Sequence, residues 1–456
     1  MEDDRGKGRP SMENLLTLCD RAVEAALKAG ADEAEAMSVR IRDVNVELQK
    51  NDLQIARSMT GDGMGLRVFK NGSLGFSYVN SFDDESMAES VERAVGIATA
   101  APRDEFNVLP EATPLEPLEG ILDDAAEEFG VEKAVESALT LLRTARDFDP
   151  RVTVDSGELA GHWGEKAIAT SRGVRASERS SLYYCYIFGM AKEGETVSSF
   201  DFQFDGARSA AAIDPSSVAL KFAENVVGSL GAVKGESFSG PVILAPKAAS
   251  EILVDPITSS VRASSVQRET SKFAGKLGQV VASDLLNVTD DSTLKDGAAT
   301  SAFDREGLRP EVLPIIQGGV LKHFLYDAYT ARKDDRSSNG HAGGGASSVP
   351  LVSTTNVVVA SGKTSLADMI AGIDKGILAT RFSGNADSVS GDFSGSVKGG
   401  RMIRGGKLAE PLCGTMIAGN TFELLTRITA VSSEHERMFG SVVPYIALEE
   451  ISVTGG

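Results

Sequence analysis

The sequence predicts an α+β fold, in which an N-terminal layer of helix and sheet precedes a larger, glycine-rich, mostly antiparallel β domain. Most segments with helical spacing of apolar residues occur in the first half of the chain, whereas short segments separated by glycine turns dominate the second half. The composition, with 42% apolar residues, 6% aromatic residues and 47 glycines, is typical of a globular protein rich in turns and sheet.

The length of 456 residues predicts more than one domain, because single hydrophobic cores stop growing at roughly 250 to 300 residues. Residues 1–10 are charged and no apolar segment follows them, which excludes a secretory signal and predicts a disordered tail. A proline-containing linker at 101–119 and a glycine-rich stretch at 231–240 separate the units. We expect these units at residues 11–102 (N-terminal), 103–230 (a central α+β segment) and 231–456 (C-terminal).

The first expected domain begins and ends with a helix. Ser11 can cap a helix whose apolar residues recur at three and four positions, and Gly30 is placed to end it. Helical spacing of apolar residues over 84–100 predicts the second helix. With the sheet between them, the two helices would complete a layered domain.

Alternating apolar and polar residues predict the sheet of this domain. Over residues 39–48 they predict two strands joined near Arg42-Asp43. Asn71-Gly72 suits a type I′ turn between two further strands.

The same two periodicities predict the later elements. Helices are expected at residues 131–146, 218–227 and 365–372. Strands are expected at 152–154, 167–170, 182–190, 198–204, 242–244, 313–316, 320–326 and 398–403. Glycine pairs at Gly318-Gly319 and Gly405-Gly406 predict two hairpin turns.

The charge and the cysteines narrow the classes of function. A formal charge of −19 argues against direct binding of nucleic acid, which needs clustered Lys and Arg. Cys19, Cys185 and Cys413 show no CxxC spacing, so neither a disulfide framework nor a zinc knuckle is indicated, and a cytoplasmic location fits best. No stretch approaches the ~18 apolar residues of a membrane-spanning helix, so no membrane association is expected.

A zinc site held by two histidines on one helix is ruled out by spacing. The chain has four histidines, the nearest pair being His323 and His341, and it contains neither HExxH nor HExxxH. A site assembled from distant residues is an open alternative, with His435 and Cys413 as candidates. Because Glu residues flank His435, a solvated charged surface is the favoured interpretation.

No nucleophile or phosphate loop stands out either. G-x-S-x-G is absent, and Cys185 lies in an apolar, aromatic strand where a thiol is expected to be buried and inert. The glycines Gly61, Gly63 and Gly65 lead into a second strand instead of a helix. They therefore indicate a bulge or a close approach of backbone, and not a dinucleotide site.

Two glycine-rich segments, 337–345 and 390–395, are polar, poor in aromatic residues and expected to be exposed. Each can be a mobile loop over a peptide cleft, and a long sheet connection is the alternative. The candidate residues for contact with a peptide are Asn339, Gly340, His341, Gly391, Asp392 and Phe393.

The order of several short motifs resembles the TldD/PmbA family, also called modulators of DNA gyrase, over essentially the whole chain. Singly each motif is weak, but in sequence they are specific. They lie at residues 61–68, 273–279, 303–307, 318–327, 390–395, 417–420 and 449–456.

The resemblance implies a pair of related subunits, of which one holds zinc through an HExxxH helix and a later cysteine and degrades peptides. That helix should lie shortly before Phe273, but residues 250–260 contain no histidine. The later cysteine is missing from 438–444, and Cys413 lies too early to replace it. The chain therefore resembles the PmbA/TldE-type subunit, with no catalytic residue, metal ligand or cofactor of its own.

The expected partner is a TldD-like subunit that bears the zinc and cleaves unfolded peptide in a shared chamber. Self-association is compatible with the same resemblance. Two alternatives stay open, which are a homodimeric peptide-binding or scaffold protein and an independent hydrolase with a site assembled from distant residues.

Overall fold

Two large sheets organise the molecule, one built by the first half of the chain and one by the second half. The computed structural model describes residues 14–456, so the predicted tail and Ser11, the expected helix cap, lie outside the described residues. The predicted α+β fold class is confirmed. Within the described residues, no helix is both long enough and apolar enough to cross a membrane.

The first sheet is antiparallel and carries its helices on one face. Among the described residues its strands are β1 (Glu33–Gln49), β2 (Asp52–Lys70), β3 (Ser73–Val79), β4 (Val152–Thr170), β5 (Arg175–Glu193), β6 (Thr196–Val197) and β7 (Asp201–Ala207). The order is β3-β2-β1-β4-β5, and both β6 and β7 pair with β5. The helices are α1 (Leu15–Lys28), α2 (Asp84–Ala100), α3 (Val131–Phe148) and α4 (Pro215–Gly228).

Local capping and apolar spacing explain these helices. The Asn14 side chain accepts a hydrogen bond from the N–H of Leu16 at the start of α1, and Asp83 caps α2 in the same way. The apolar faces of α1 and α2 share one core with β1 and β2, while α3 and α4 share another with β4 and β5. The predicted helices at 84–100, 131–146 and 218–227 are confirmed.

The predicted hairpin at Arg42-Asp43 is wrong, because β1 continues through it to Gln49. The strand pairs with β2 on one side and β4 on the other, which satisfies its backbone groups along this length. The chain turns instead at Lys50 and Asn51, whose φ angles of 52° and 63° suit a tight hairpin turn. The predicted turn at Asn71-Gly72 is confirmed.

The strands predicted at 152–154 and 167–170 are the two ends of one long strand, β4. Glycines at 157, 161 and 164 interrupt the alternation between them. At Gly161 a Cβ atom would lie 2.5 Å from the ring of Phe129, so the glycine makes room for that ring.

The second half forms a mixed, mainly antiparallel sheet with short helices. Its strands are β8 (Val233–Lys234), β9 (Phe238–Leu244), β10 (Val288–Asp290), β11 (Leu313–Gln317), β12 (Val320–Leu321), β13 (Ala342–Gly343), β14 (Leu351–Val352), β15 (Val357–Val359), β16 (Lys375–Ala379), β17 (Arg381–Ala386), β18 (Asp392–Lys398), β19 (Arg401–Arg404), β20 (Lys407–Cys413), β21 (Met416–Asn420), β22 (Ile428–Met438) and β23 (Ser441–Thr454). Strands β13 and β14 pair separately from the others. The helices are α5 (Pro246–Ala249), α6 (Asp255–Ser260), α7 (Ala263–Gln267), α8 (Ala328–Lys333), α9 (Leu366–Ala371) and α10 (Thr421–Leu424).

Glycine turns and one cap account for the elements predicted correctly here. Both glycine pairs have positive φ angles and close the hairpins β11–β12 and β19–β20. The helix predicted at 365–372 is α9, and the side chain of Ser365 caps its start. The strand expected at 320–326 is wrong beyond Leu321, where β12 ends.

The predicted domain boundaries stay predictions, but the structure gives two facts about them. Strands β1 and β4, from either side of residue 102, are neighbours in one sheet. A buried ionic cluster also ties β1 and β2 to the second half. In it, Glu35 lies 2.7 Å from Arg305, and Arg67 lies 2.5 Å from Glu35 and 3.1 Å from Glu306.

The expected close approach of backbone at the Gly61–Gly65 motif is confirmed. A Cβ atom on Gly65 would lie 1.9 Å from the carbonyl oxygen of Ala346, whereas one on Gly61 would meet nothing nearer than the Ile41 side chain at 3.4 Å. We expect Gly65→Ala to lower the free energy of unfolding by about 1–3 kcal/mol, because backbone must move. Urea denaturation of both alanine variants is the measurement, and equal midpoints for Gly61→Ala and Gly65→Ala would contradict it.

Candidate functional site

A cleft of about 1140 Å³ separates the first sheet from the second half of the molecule. One wall is the sheet face opposite α3 and α4, with residues from β4, β5 and β7, and the first turns of α4 with the cap Asp214 also line the cleft. The other wall comes from the helical segment that begins with α5, from β17 and from the connection between β22 and β23. A cleft of this size between two layers can hold a stretch of polypeptide.

Alternation along β5 and β7 builds an aromatic wall, defined as Tyr184, Tyr186, Phe188, Phe202 and Phe204. The rings of Tyr184 and Phe204 have centroids 6.0 Å apart, and those of Tyr186 and Phe202 are 5.5 Å apart. These are ordinary distances for interacting rings, so the wall is a continuous aromatic surface.

The intervening residues of β5 face the core. Cys185 is buried, as predicted, and burial raises the pKa of its thiol to about 12, so the thiol is inert at neutral pH. From the opposite side, Phe439 lies edge-on to Phe204 at 5.7 Å and is 60% exposed. Phe439 thus borders the aromatic wall with a ring that is itself largely exposed to solvent.

The helical wall consists of α5, a π-helical turn (Ser250–Val254) and α6 in direct succession. Lys247 lies in α5 and its ammonium donates a hydrogen bond to the carbonyl oxygen of Phe202. Burial lowers the pKa of Lys247 to about 8, with Asp201 and Glu436 opposing the shift.

Glu251 lies one turn further along the helical wall. Burial, with the charge of Asp255, raises the pKa of Glu251 to about 7, while Arg381 opposes the shift. The wall therefore presents an amine and a carboxyl group that both titrate near neutral pH. Groups of this kind can exchange protons with a bound ligand.

The remaining charges in the cleft form defined pairs. The Lys221 ammonium lies 2.6 Å from the Glu436 carboxylate, and the Arg381 Nε atom lies 3.5 Å from Asp201. Arg381 also donates to the carbonyl oxygen of Phe200. These contacts join α4 to β22 and β17 to β7.

The first predicted loop lies away from this cleft. Asn339 fastens it, because its amide accepts from the N–H of Tyr326 at 2.8 Å and donates to the carbonyl oxygen of Phe324 at 2.9 Å. The expected exposure is wrong for His341, which is 1% exposed with its Nε2 atom 3.3 Å from the Asp290 carboxylate. Gly340 adopts a φ of 75°, a backbone conformation that glycine reaches without strain because it has no side chain.

The second predicted loop leads into β18. Gly391 turns the chain with a φ of 84°, and Asp392 accepts a hydrogen bond from the Asn420 amide at 2.8 Å. The expected exposure is wrong for Phe393, which is 3% exposed because its strand alternates toward the core and Phe382. None of the six candidate residues lines the cleft described above, and their contact with a peptide stays a prediction.

The sequence analysis did not predict the cleft residues, although the sequence contains a recognisable pattern for some of them and none for others. The aromatic wall was visible as Tyr, Tyr and Phe at alternate positions from 184 to 188 and again as Phe202 and Phe204. Lys247 and Glu251 left no signal, because an isolated Lys or Glu is ordinary on any surface.

Comparison with known proteins gives the chain its family. Three family models match successive parts of it, namely the PmbA/TldA metallopeptidase domain 1 at residues 34–98, the central domain at 124–230 and the C-terminal domain at 237–455. The chain belongs to the PmbA/TldD family. The resemblance inferred from the motifs is thereby confirmed.

Individual PmbA/TldD relatives cover nearly the whole chain. A metalloprotease PmbA homolog of Haemophilus influenzae is 26% identical, covering 95% of this chain and 94% of the relative. The metalloprotease TldD homolog of the same organism is also 26% identical, covering 86% of each chain. The crystal structure of TldE from Thermococcus kodakarensis superimposes with a TM-score of 0.89 at 24% identity, covering 96% of this chain and 100% of that one, which shows a common fold.

The family description implies a metal ion, which needs a group of donor side chains to hold it. Within residues 14–456, no three His, Cys, Asp or Glu side chains are grouped so that they could hold a metal ion. Each histidine has another contact: His162 with Asp43, His323 with Pro314, His341 with Asp290 and His435 with Ser361. The described residues therefore do not fit a zinc ion.

Proposed function

We propose that this chain is the zinc-free subunit of a two-subunit cytoplasmic peptidase, in which a TldD-like partner holds the zinc and cuts unfolded peptides. One observation carries the proposal. The helical wall of the cleft lies shortly before Phe273, where the family resemblance expects an HExxxH helix, and it presents Lys247 and Glu251 but no histidine.

In this proposal the cleft binds substrate and the partner's zinc performs the cleavage. The aromatic wall offers rings to apolar side chains of an extended peptide, and sheet edges offer backbone hydrogen bonds without regard to side-chain identity. Lys247 and Glu251 line the opposite wall, where they hold the peptide backbone or its charged groups. The matching folds of the two subunits would enclose the peptide in a shared chamber.

The test is to purify this chain and a TldD-like, HExxxH-bearing subunit from the same organism, both separately and together. We expect a mixed complex by light scattering, stoichiometric zinc in that complex but not in this chain alone, and cleavage of unfolded casein that is stronger than with the partner alone. Stoichiometric zinc and casein cleavage by this chain alone would overturn the proposal in favour of an independent hydrolase. A stable homodimer that does not bind the TldD-like subunit would instead favour a peptide-binding scaffold.

A further inference from the structure

The aromatic wall continues onto an open, acidic part of the same sheet face. In the antiparallel register, Glu158 on β4 lies opposite Tyr186 on β5, and Glu47 on β1 lies opposite Glu158. One row of the sheet therefore passes from aromatic to acidic side chains, on the face that α3 and α4 do not cover.

Two carboxylates beside the wall, those of Glu158 and Asp43, have partners without a fixed positive charge, whereas Glu47 forms an ion pair with Arg57 at 3.1 Å. Glu158 accepts hydrogen bonds from the Tyr184 hydroxyl at 2.9 Å and from the Asn45 amide. Asp43 lies 2.6 Å from the Nδ1 atom of His162, whose ring stacks on Tyr184. The carboxylates of Glu158 and Asp43 can therefore pair with positive charges on a ligand.

Two carboxylates that line the cleft itself have the same character. Asp205 accepts from the N–H of Gly206 at 2.9 Å. Asp214 caps α4 and accepts from the N–H groups of Ser216 and Ser217 at 3.0 and 3.1 Å. Backbone amides orient these carboxylates without neutralising them.

Three of the four Lys and Arg residues that line the cleft lie near a carboxylate, whereas Lys247 donates to the carbonyl oxygen of Phe202. Lys221 pairs with Glu436 and Arg381 with Asp201, as described above. Arg437 donates to the carbonyl oxygen of Lys295 at 3.0 Å and lies 4.0 Å from Asp296. The carboxylates of Asp205, Asp214, Glu158 and Asp43 therefore outnumber Lys247, the cleft cation without a carboxylate partner, and they lie beside the half-buried rings of the aromatic wall.

We propose that this surface binds unfolded segments that carry aromatic and basic side chains together. The rings of the wall stack with aromatic side chains and attract Lys or Arg through their faces. The unmatched carboxylates pair with the same cations, and they repel acidic segments. The inference rests on the proposed function, since it names the class of peptide that the cleft would hold for the partner.

The first test compares three fluorescein-labelled peptides in a Gly/Ser background, binding to the full chain in low salt. One carries Phe and Lys, the second carries Phe and Glu, and the third carries Lys without Phe. We expect the Phe/Lys peptide to bind about tenfold more tightly than either of the others, with a difference from Phe/Glu that shrinks as salt is added. Equal affinity for the Phe/Lys and Phe/Glu peptides would overturn the inference.

The second test uses the variants Glu158→Gln and Asp43→Asn, which keep the shape of each side chain. Each is expected to weaken binding of the Phe/Lys peptide by about two- to fivefold and to leave the Phe/Glu peptide unchanged or bound more tightly. Glu136→Gln on the exposed side of α3 is the matched control and should change nothing. Equal affinities in all three variants and the unchanged protein would overturn the inference, and the peptide comparison stands even if a variant unfolds.

The mixed complex separates this inference from the proposed function. If the complex forms and cleaves peptides but shows no preference for Phe/Lys over Phe/Glu in kcat/KM, the inference fails and the proposed function stands. If no complex forms, the proposed function fails, while binding to the chain alone still decides the charge preference of the cleft.

Discussion

Replacing Arg305 with methionine is expected to destabilise the protein by about 3–5 kcal/mol, because it leaves a buried carboxylate poorly compensated. Arg305 and Glu35 are both fully buried, with their charged atoms 2.7 Å apart. Burial opposes ionisation of Glu35, but Arg67 and Arg305 together hold its pKa below the ordinary value. Urea unfolding followed by the fluorescence of Trp163, the single tryptophan, measures the effect.

Arg309→Met is the matched control for this prediction. Arg309 pairs with Glu116 at 3.0 Å, but the two side chains are 48% and 73% exposed, so the loss should be less than about 1 kcal/mol. Adding Glu35→Gln to Arg305→Met should recover part of the lost stability, since the uncompensated charge is then removed. If Arg305→Met and Arg309→Met unfold at the same urea concentration, the cluster has no such role.

Glu306→Gln is expected to remove much of a decline in stability between about pH 5 and pH 8. Burial raises the pKa of Glu306 from its ordinary 4.5 to about 8, and Asp304 and Asp327 add to the shift against the opposing charge of Arg67. Between these values the folded protein keeps a proton that the unfolded chain has released. Stability from this group is therefore complete below pH 4.5 and is lost as the pH rises through 8, at up to about 1.4 kcal/mol per pH unit.

The slope of stability against pH, from urea unfolding at several pH values, is the readout for Glu306→Gln. The absolute free energy of unfolding is less informative, because the substitution also alters the hydrogen bonds that the Glu306 side chain makes with Arg67 and with the N–H of Ala328. A smaller decline in stability with rising pH should remain in the variant, because burial also raises the pKa of Asp304 to about 6. Glu311→Gln, at an exposed position, should keep the full slope, and an equally steep decline in Glu306→Gln would refute the assignment.

Local patterns predicted much of the fold because they act over a few residues. Helix α2 and the turn at Asn71-Gly72 follow from apolar spacing and from the backbone preferences of Asn and Gly. The failures have non-local causes. The prediction divided β4 because glycines interrupt its alternation, and one of them, Gly161, makes room for Phe129. It divided β1 because the pairing with β4 that sustains this strand comes from more than one hundred residues later.

The site was harder to predict than the fold for the same reason. The alternation of Tyr184, Tyr186 and Phe188 predicts a strand, but only the placement of α3 and α4 decides which face stays open. The helical wall at Lys247 is apolar on most sides and shows no helical periodicity, so only the family resemblance indicated it. Two ion pairs of the buried cluster, Arg67 with Glu306 and Arg305 with Glu35, join residues 239 and 270 apart in sequence, which no local pattern reveals.

The adjacency of β1 and β4 has a consequence for biosynthesis. When the ribosome has made the first hundred residues, β1 has β2 beside it, but its other edge must wait for residues 152–170. An unpaired edge of this length is a site for wrong pairing with other nascent chains. Slow or paused translation between these strands should therefore raise aggregation and the demand for chaperones, and pauses after residue 170 should be better tolerated.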